Sequence, residues 1–587
     1  MAIAALFSHI EVPRRLRALV RARETSLVVL AIIVGVVSGA VVLAMSATVD
    51  ALHALFFGLP FGTRLSSVIE IKPPVLAVAV PCVGGLLFGL AAMALARWRS
   101  GREVDPIEAN ALHGGRMSVV GSIIVAAQTV WSSGVGASVG LEAGYTQLAS
   151  GLASRLGGAF RLRRRDLRVL VGCGAAAGIA GAFGAPLGGA FYAFELVIGS
   201  YSITGLAPVG AAALIGYLVV SHFERVDLGM TANMEVGTPD LFIAALLGVL
   251  AAGFGIAIMR SVGYCEVLLQ RLRVPLALRP ALGGVVVGLL AIESPQVMSS
   301  GHGALHVTAM LGMSLAMIAL VFALKAVASV ASLGSGFRGG LFFASLLLGA
   351  LGGQLVCAGL EMVLPGLPLN RQVYAIIGMG ALSVSIIGGP LTMTFIALES
   401  TGDLWLSAAV LIAVIISAQV TREAFGYSFA TWRFHLRGET IRSAADVGWI
   451  RDLTVGRMMR RDLQTVPVDT YVADLREAFP LGSTGQVVAV DEDGRYAGLV
   501  IVAEAHAKEL ADSLPLRDIL RHADDILLPE MTVQQAVAVF DRAETEALAV
   551  VDAPSTHRVI GLLTEAHALR RYTEQSELHR RELLVDA

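Results

Sequence analysis

Long apolar runs separated by short polar segments fill the first three quarters of the chain. An α-helix needs about 20 mainly apolar residues to cross the hydrocarbon layer of a membrane. Runs near or above that length recur: Ser26–Met45, Val75–Ala96, Leu241–Met259, Leu311–Val330 and Trp405–Val420. Glycine or proline interrupts many other apolar stretches, which is typical of helices that end at mid-membrane. The pattern predicts a mainly α-helical protein that crosses a membrane several times.

The same pattern divides the chain into three parts. Residues 1–24 contain a cluster of arginines and predict a cytoplasmic N-terminal helix, because positive charges beside the first span stay on the cytoplasmic side. Residues 25–436 form the predicted membrane domain. Residues 437–587 carry many charges and no spanning run, so we expect a cytosolic domain and a cytoplasmic C-terminus.

An internal repeat lies within the membrane part. Gly174–Glu195 and Gly378–Glu399 align without a gap and share a Gly-x-Pro-Leu sequence and a final glutamate. Each copy also follows a glycine-rich stretch. An internal duplication with discontinuous helices, usually of inverted topology, is typical of membrane transporters.

The polar C-terminal part is also doubled. Its halves, at about 455–507 and 516–572, each contain a polar helix pattern and an apolar strand that ends in Asp491 or Asp552. In each half a turn and a second apolar strand follow. The sequence predicts a small α+β unit used twice.

Composition narrows the class of protein further. The chain is 55% hydrophobic and 15% charged, whereas soluble domains carry about a quarter charged residues. The net charge of −2 says nothing about nucleic acid, and we expect no nucleic-acid partner. The four cysteines have no ligand spacing, so we predict no metal, disulfide or cofactor. We find no nucleophile–base pair or phosphate-binding loop and expect no enzymatic activity.

The stretch Ser132–Gln147 carries the candidate chemistry. It is rich in glycine, lies between two apolar segments and contains one acid, Glu142. A glycine-rich turn that opens a helix leaves backbone N–H groups unpaired, and these bind anions. An ionisable residue at membrane depth indicates a functional site. The alternative is a packing turn with a buried, hydrogen-bonded glutamate.

Four segments carry a resemblance to a known family. GLEAGYTQ (140–147), GAAAGIAGAFGAPLGG (174–189), GSGFRGGLFFA (334–344) and GYSFATWRFHLRGE (426–439) resemble motifs of the CLC chloride channels and chloride/proton antiporters. The C-terminal part resembles a pair of CBS domains. The resemblance implies a homodimer in the lipid bilayer of the cell membrane (plasma or inner), with one anion pathway per subunit and an inverted repeat.

The resemblance also implies roles for individual residues. Glu142 matches the gating glutamate, and Leu341 and Phe342 match the residues whose backbone N–H groups bind the anion. Tyr427 matches the pore tyrosine, whose hydroxyl donates to the anion. The alternative for Tyr427 is an anchor at the membrane boundary, where tyrosines collect.

The sequence departs from the family in two places. GREVDPIEANAL (101–112) replaces the first anion motif, GSGIP, so the pore serine is absent and Glu103 or Asp105 falls near its place. Both acids are candidate pore-lining residues, and so is Arg338, which could compensate their charge or lie in a loop. Leu196 stands where the antiporters carry an internal proton-relay glutamate.

We therefore expect transport of chloride or another small anion, channel-like or uncoupled from protons. One alternative is a chloride/proton antiporter. The other is a membrane-anchored sensor that signals through its CBS pair. That pair either binds an adenine nucleotide, although His567 and Glu504 replace or displace the usual ribose-binding aspartates, or serves in dimerisation and coupling.

Overall fold

The computed structural model describes residues 24–98, 103–224, 236–305, 313–366, 369–426 and 453–571, together with residues 13, 17, 428, 429, 431, 432 and 574. Almost all of the predicted N-terminal helix (1–24) lies outside the described residues. The chain divides into two compact units, Met1–Asp446 and Val447–Ala587.

The first unit is helical. Its helices are α1 Glu24–Phe57, α2 Val75–Trp98, α3 Pro106–Leu112, α4 Val119–Gly134, α5 Glu142–Ala159, α6 Arg164–Phe183, α7 Pro186–Tyr192, α8 Ile203–Phe223, α9 Thr238–Arg271, α10 Arg279–Glu293, α11 Leu315–Gly334, α12 Phe342–Val363, α13 Arg371–Ile387, α14 Pro390–Thr401 and α15 Leu404–Ala424. Helix α7 continues into a π-helical segment, Ala193–Ile198. Short 3₁₀ turns occupy Leu65–Ser67 and Pro295–Val297.

Eight helices of the described part are long and apolar enough to span a membrane. Four of them, α1, α2, α9 and α15, contain runs predicted from sequence. Helix α11 begins at Leu315, inside the predicted run Leu311–Val330, of which residues 311–312 lie outside the described residues. The run prediction missed α6, α8 and α12. For α6 the reason is burial: nine tenths of its apolar window lies inside the protein, so glycine and alanine replace the large side chains of a lipid-facing helix.

Local sequence sets many of the helix starts. The side chains of Ser118, Ser202 and Asp403 each accept a backbone N–H from the first turn of the helix that follows. Such caps satisfy N–H groups that the helix itself leaves unpaired. Helices α7 and α14 instead begin with a proline, which lacks that N–H.

Glycines allow some helices to approach closely. A Cβ atom on Gly349 would collide with the backbone of α13, and one on Gly378 would collide with the backbone of α12. Small residues at such crossings are typical of membrane proteins, because helix association there depends on close packing.

The predicted repeat is present as a symmetric contact. Glu195 accepts two backbone N–H groups of the first turn of α14 at 3.0 and 2.9 Å. Its counterpart Glu399 accepts two from the first turn of α7 at 2.8 and 2.9 Å. The rings of Phe191 and Phe395, also aligned by the repeat, stack 4.4 Å apart. Aligned residues of the two copies therefore meet face to face.

The second unit contains the two predicted α+β halves. Its elements are α16 Val455–Met458, β1 Thr465–Pro467, α17 Val472–Ala478, β2 Gln486–Val490, β3 Tyr496–Ile501, α18 Val502–Ala505, a 3₁₀ turn Leu516–Asp518, α19 Val533–Ala543, β4 Ala547–Val551 and β5 Val559–Thr564. Strand β2 pairs with β1 in parallel and with β3 antiparallel, and β4 pairs antiparallel with β5. Residues Val488 and Leu499 lie opposite each other in the first sheet.

The turns after β2 and β4 use the same device. The side chain of Asp491 accepts the N–H of Arg495 at 2.7 Å, and that of Asp552 accepts the N–H of Arg558 at 3.0 Å. The hydroxyl of Thr556 also donates to Asp552, and this bond, more than any other cause, lowers the pKa of that carboxyl. The two predicted strand–Asp–turn–strand patterns are thus confirmed.

Candidate anion site

Two glycine-rich loops meet at the centre of the candidate site. The loop before α5 and the loop before α12 are joined through Gly140 and Gly340. The N–H of Gly140 donates to the carbonyl of Gly340 at 2.9 Å, and the reverse bond measures 3.1 Å. This reciprocal pair brings the N-termini of α5 and α12 together, so that their unpaired N–H groups converge.

Two buried serines also link the same loops. The hydroxyl of Ser332 accepts the N–H of Ser138 at 2.9 Å, and the hydroxyl of Ser132 accepts the N–H of Arg338 at 3.1 Å. As with the glycines, the exchange is mutual: each loop supplies one hydroxyl acceptor and one backbone N–H donor to the other. The loops therefore form one rigid, symmetric framework.

Glu142 is the first residue of α5 and its side chain is buried. Its Oε1 accepts the backbone N–H of Phe343 at 3.2 Å. Among the described residues, Oε2 has no hydrogen-bond partner. The carboxylate folds back over Gly140, where a Cβ atom would collide with both of its oxygens. The glycine at 140 is therefore required for this position of the carboxylate.

The predicted anion-binding residues lie beside this carboxylate. Leu341 immediately precedes α12 and Phe342 is its first residue, and both are buried. The direct donor to Glu142 is Phe343, one residue further along the helix. A negative charge is favourable at a helix N-terminus because the helix dipole is positive there. The carboxylate thus lies at the N-terminus of α12, beside the two predicted anion-binding residues.

Aromatic rings enclose the start of α12. Phe183, from the end of α6, lies 4.4 Å from the ring of Phe342 and stacks on that of Phe343 at 4.3 Å. Tyr192 lies 6.1 Å from Phe342. Low polarity around the site strengthens every interaction between a charge and the backbone donors.

A cavity of about 360 Å³ reaches the site from one side. It contacts Leu141 and Phe343, the neighbours of the Glu142 carboxylate. Its polar lining includes His53, His302, Ser133, Ser299, Arg64, Asp50 and Glu224. The cavity therefore reaches residues that flank Glu142, although Glu142 itself does not line it.

The three candidate pore-lining residues have different surroundings. The side chain of Asp105 caps its own helix α3 by accepting the N–H of Ile107 at 2.7 Å. Arg338 lies near enough for its charge to attract that of Asp105. Glu103 is half-buried and lies beside Gly121 at the start of α4. Tyr427 lies outside the described residues, so its role stays a prediction.

Leu196 and Glu195 occupy the π-helical segment after α7. The turn is wider here than in an ordinary α-helix. Leu196 packs beside Gly388, and the carboxylate of Glu195 is held by α14. The hydroxyl of Thr392 adds a third bond to Glu195 at 2.7 Å.

Sequence reasoning overlooked several buried ionisable residues, among them Lys325 and His53. Lys325 lies within α11 and is 0% exposed, and His53 lies near the end of α1 with its Nε2 3.2 Å from the carbonyl of Ser133. An ionisable residue inside a spanning run was the available signal. In the described part of the chain, no cluster of three or more His, Cys, Asp or Glu could hold a metal ion.

In the CBS-like unit, His567 and Glu504 lie at the two positions where a ribose-binding aspartate would be expected, and their surroundings differ. The hydroxyl of Thr564 accepts the N–H of His567 at 3.4 Å. Partial burial, followed by the charge of nearby Arg570, lowers the pKa of His567. Glu504, the equivalent residue of the first half, pairs with Arg521 at 3.2 Å.

Comparison with known proteins places the two units in known families. A family model for the voltage gated chloride channel matches residues 84–422, and a CBS domain model matches residues 452–504. A ClcB-like protein of Ralstonia nicotianae is 34% identical over 359 residues, which cover 59% of this chain and 82% of that protein. The voltage-gated ClC-type chloride channel ClcB of Escherichia coli O81 is 27% identical over 398 residues, covering 67% of this chain and 95% of the channel.

Solved structures show the same fold. A slow cyanobacterial Cl⁻/H⁺ antiporter superposes with a TM-score of 0.61 at 20% identity, over 70% of this chain and 97% of its own. A eukaryotic CLC transporter superposes with a TM-score of 0.59 at 18% identity, over 94% and 98%. A CLC-type fluoride/proton antiporter gives 0.54 at 20% identity, over 68% and 96%.

Proposed function

This chain belongs to the voltage gated chloride channel family and carries a C-terminal CBS pair, and we propose that it moves chloride or another small anion across a membrane without a fixed exchange for protons. The observation that carries the proposal is the Glu142 carboxylate at the N-terminus of α12. That carboxylate and a small anion compete for the same backbone donors.

The geometry supports a simple gating step. While Glu142 is ionised and bound to the N–H of Phe343, the place is filled. When the carboxylate is protonated or turns away, the N–H groups of Leu341, Phe342 and Phe343 are available to an anion that enters through the polar cavity. Partial positive charges at a helix N-terminus attract an anion without trapping it as a full charge would.

The absence of proton coupling is proposed from Leu196. A proton needs titratable groups or ordered water to cross a low-dielectric core. Leucine can neither hold nor transfer a proton. The adjacent Glu195 is held by three hydrogen bonds from α14, which supports a structural role for this acid.

The alternative is a chloride/proton antiporter, which the names of two structural neighbours favour. Chloride and proton fluxes should be recorded together from full-length protein in liposomes under an imposed chloride gradient, with protein-free liposomes as the control. We expect chloride movement without uphill proton movement. Proton pumping against its own gradient at a fixed ratio to chloride would contradict the proposal.

The remaining features follow the family. We propose a homodimer with one pathway per subunit, in the plasma or inner membrane, with both termini in the cytoplasm. The CBS pair modulates transport, and we expect no enzymatic activity. If the protein were instead a sensor with vestigial transport, the same liposomes would show no anion flux above the protein-free control. Competing nitrate and fluoride in this assay would rank the anions.

A further inference from the structure

A fully buried lysine lies behind the anion site. Lys325 is in the middle of α11, and its side chain is 0% exposed. Its Nζ donates to the carbonyl of Val297 at 3.1 Å and to that of Ser299 at 3.0 Å. A cation at membrane depth is costly and, where present, indicates function.

Hydrogen bonds connect this lysine to the loop that positions Glu142. The N–H of Ser299 donates to the carbonyl of Gly136 at 3.3 Å, and the hydroxyls of Ser299 and Ser133 lie 2.8 Å apart. Gly136 and Ser133 belong to the loop that leads to Gly140. The charges of Lys325 and Glu142 also interact through the protein interior.

The first repeat builds the same loop without a cation. Adding 200 to the number of each residue of the first loop gives its counterpart in the second, so the counterpart of Lys325 is Val125. Val125 lies in α4 and is buried, as Lys325 is in α11. Because a valine suffices for the turn in one copy, the fold of the loop does not itself require a charge at this position.

We propose that Lys325 supplies the fixed positive charge of the anion site, balancing the Glu142 carboxylate when it is bound and attracting the anion that replaces it. The ammonium group is directed at two carbonyls and therefore acts on the anion through space. An attraction of this kind remains strong in a low-dielectric interior. Direct contact, which would hold the anion too tightly for transport, is avoided. This inference rests on the proposed function of the site.

The test compares chloride binding in four full-length proteins by isothermal titration calorimetry. They are the wild type, Lys325→Gln, Glu142→Gln and the double variant. Glutamine retains donors for the carbonyls of Val297 and Ser299 but carries no charge. We expect Lys325→Gln to weaken chloride binding by about tenfold or more when Glu142 is already replaced. In the wild-type background the loss should be much smaller, because the competing carboxylate is weakened as well.

The outcomes separate the charge from a structural role. The same fold-loss in both backgrounds, or a loss below about twofold in the Glu142→Gln background, would overturn the inference. If Lys325→Gln does not give monodisperse protein, Lys325→Arg in the Glu142→Gln background replaces it: retained affinity supports the charge, and lost affinity contradicts it. No chloride binding by Glu142→Gln with Lys325 intact would instead overturn the proposed function.

Discussion

The two glycine-rich loops, at 132–142 and 332–342, share a backbone and differ in chemistry. The backbones of Gly140 and Gly340 exchange hydrogen bonds. The hydroxyls of Ser132 and Ser332 each accept a backbone N–H from the opposite loop. Gly136 and Gly336 both have positive φ, at 88° and 105°, so both loops turn in the same way. The positions that the copies share therefore build the turn.

The positions that differ carry the charges. Glu142 corresponds to Phe342, Lys325 to Val125 and Arg338 to Ser138 (here the counterpart numbers differ by 200 throughout). One copy thus supplies an acid and the other supplies two cations. The comparison teaches that the positions shared by the copies build the framework, whereas the positions that differ carry the charged groups of the candidate site.

A second pair of positions shows the opposite case. Glu195 and Glu399 are the same residue in both copies and make the same contact with the other copy's helix. Their equivalence favours a structural role, because a gate or relay would need only one of them. Shared and divergent positions should therefore respond differently to mutation.

The largest effect is expected at the divergent acid. Glu142→Gln removes the charged competitor, and a hydrogen bond to a charged group contributes about 1.5–3 kcal/mol. The apparent affinity for chloride should rise by roughly tenfold or more, and the pH dependence of flux should disappear. Chloride flux from liposomes over a pH series measures both.

Phe342→Leu is the matched control, since it changes the symmetry-equivalent position and leaves the carboxylate. Its flux should keep its pH response even if its rate changes. An unchanged pH response and unchanged flux in Glu142→Gln would show that this glutamate is only a buried packing residue.

Alanine substitution of the two shared glycines should have a smaller effect on the pH response of chloride flux, and the effect should differ between the two positions. A Cβ on Gly140 would collide with the Glu142 carboxylate, whereas one on Gly340 would lie 3.0 Å from Oε2. Gly140→Ala should therefore displace the carboxylate and reduce the pH response of chloride flux more than Gly340→Ala does. In a Glu142→Ala background the two substitutions should act alike. Equal responses with Glu142 present would mean that the carboxylate does not rest on Gly140.

A still smaller change in chloride flux is expected when the C-terminal CBS pair is removed. Deleting residues 437–587 leaves both glycine-rich loops, with their acid and cations, in place. Some anion flux should remain in liposomes, with an altered rate, if the CBS pair modulates transport. Complete loss of flux from a monodisperse truncated protein would contradict this division of roles.

The smallest effect is expected at the shared acids. Glu195→Gln and Glu399→Gln each weaken hydrogen bonds across the repeat, at about 1 kcal/mol apiece. Both should lower the Tm in detergent by a similar few degrees. Chloride flux per folded protein, and its lack of proton coupling, should not change. A change in proton movement for Glu195→Gln alone would give this acid a role in transport.

Several features of this protein follow from the sequence alone. The main spans, the repeat at 174–195 and 378–399, and the two strand–Asp–turn–strand halves are local or periodic patterns. Hydrophobic run length and turn chemistry act over a few residues, so they can be read without a structure. Glu142 was found in the same way, as an acid beside glycines at membrane depth.

Tertiary structure decided what the acid contacts and where the buried lysine lies. Helix α6 is a span that the run analysis missed, because protein rather than lipid covers it. The partner of Glu142 is the N–H of Phe343, and the bonds that connect Lys325 to this site pass through Ser299 and the first loop. These residues are far apart along the chain. Only the packing of the two repeats against each other brings them within hydrogen-bond distance, and no local pattern encodes that approach.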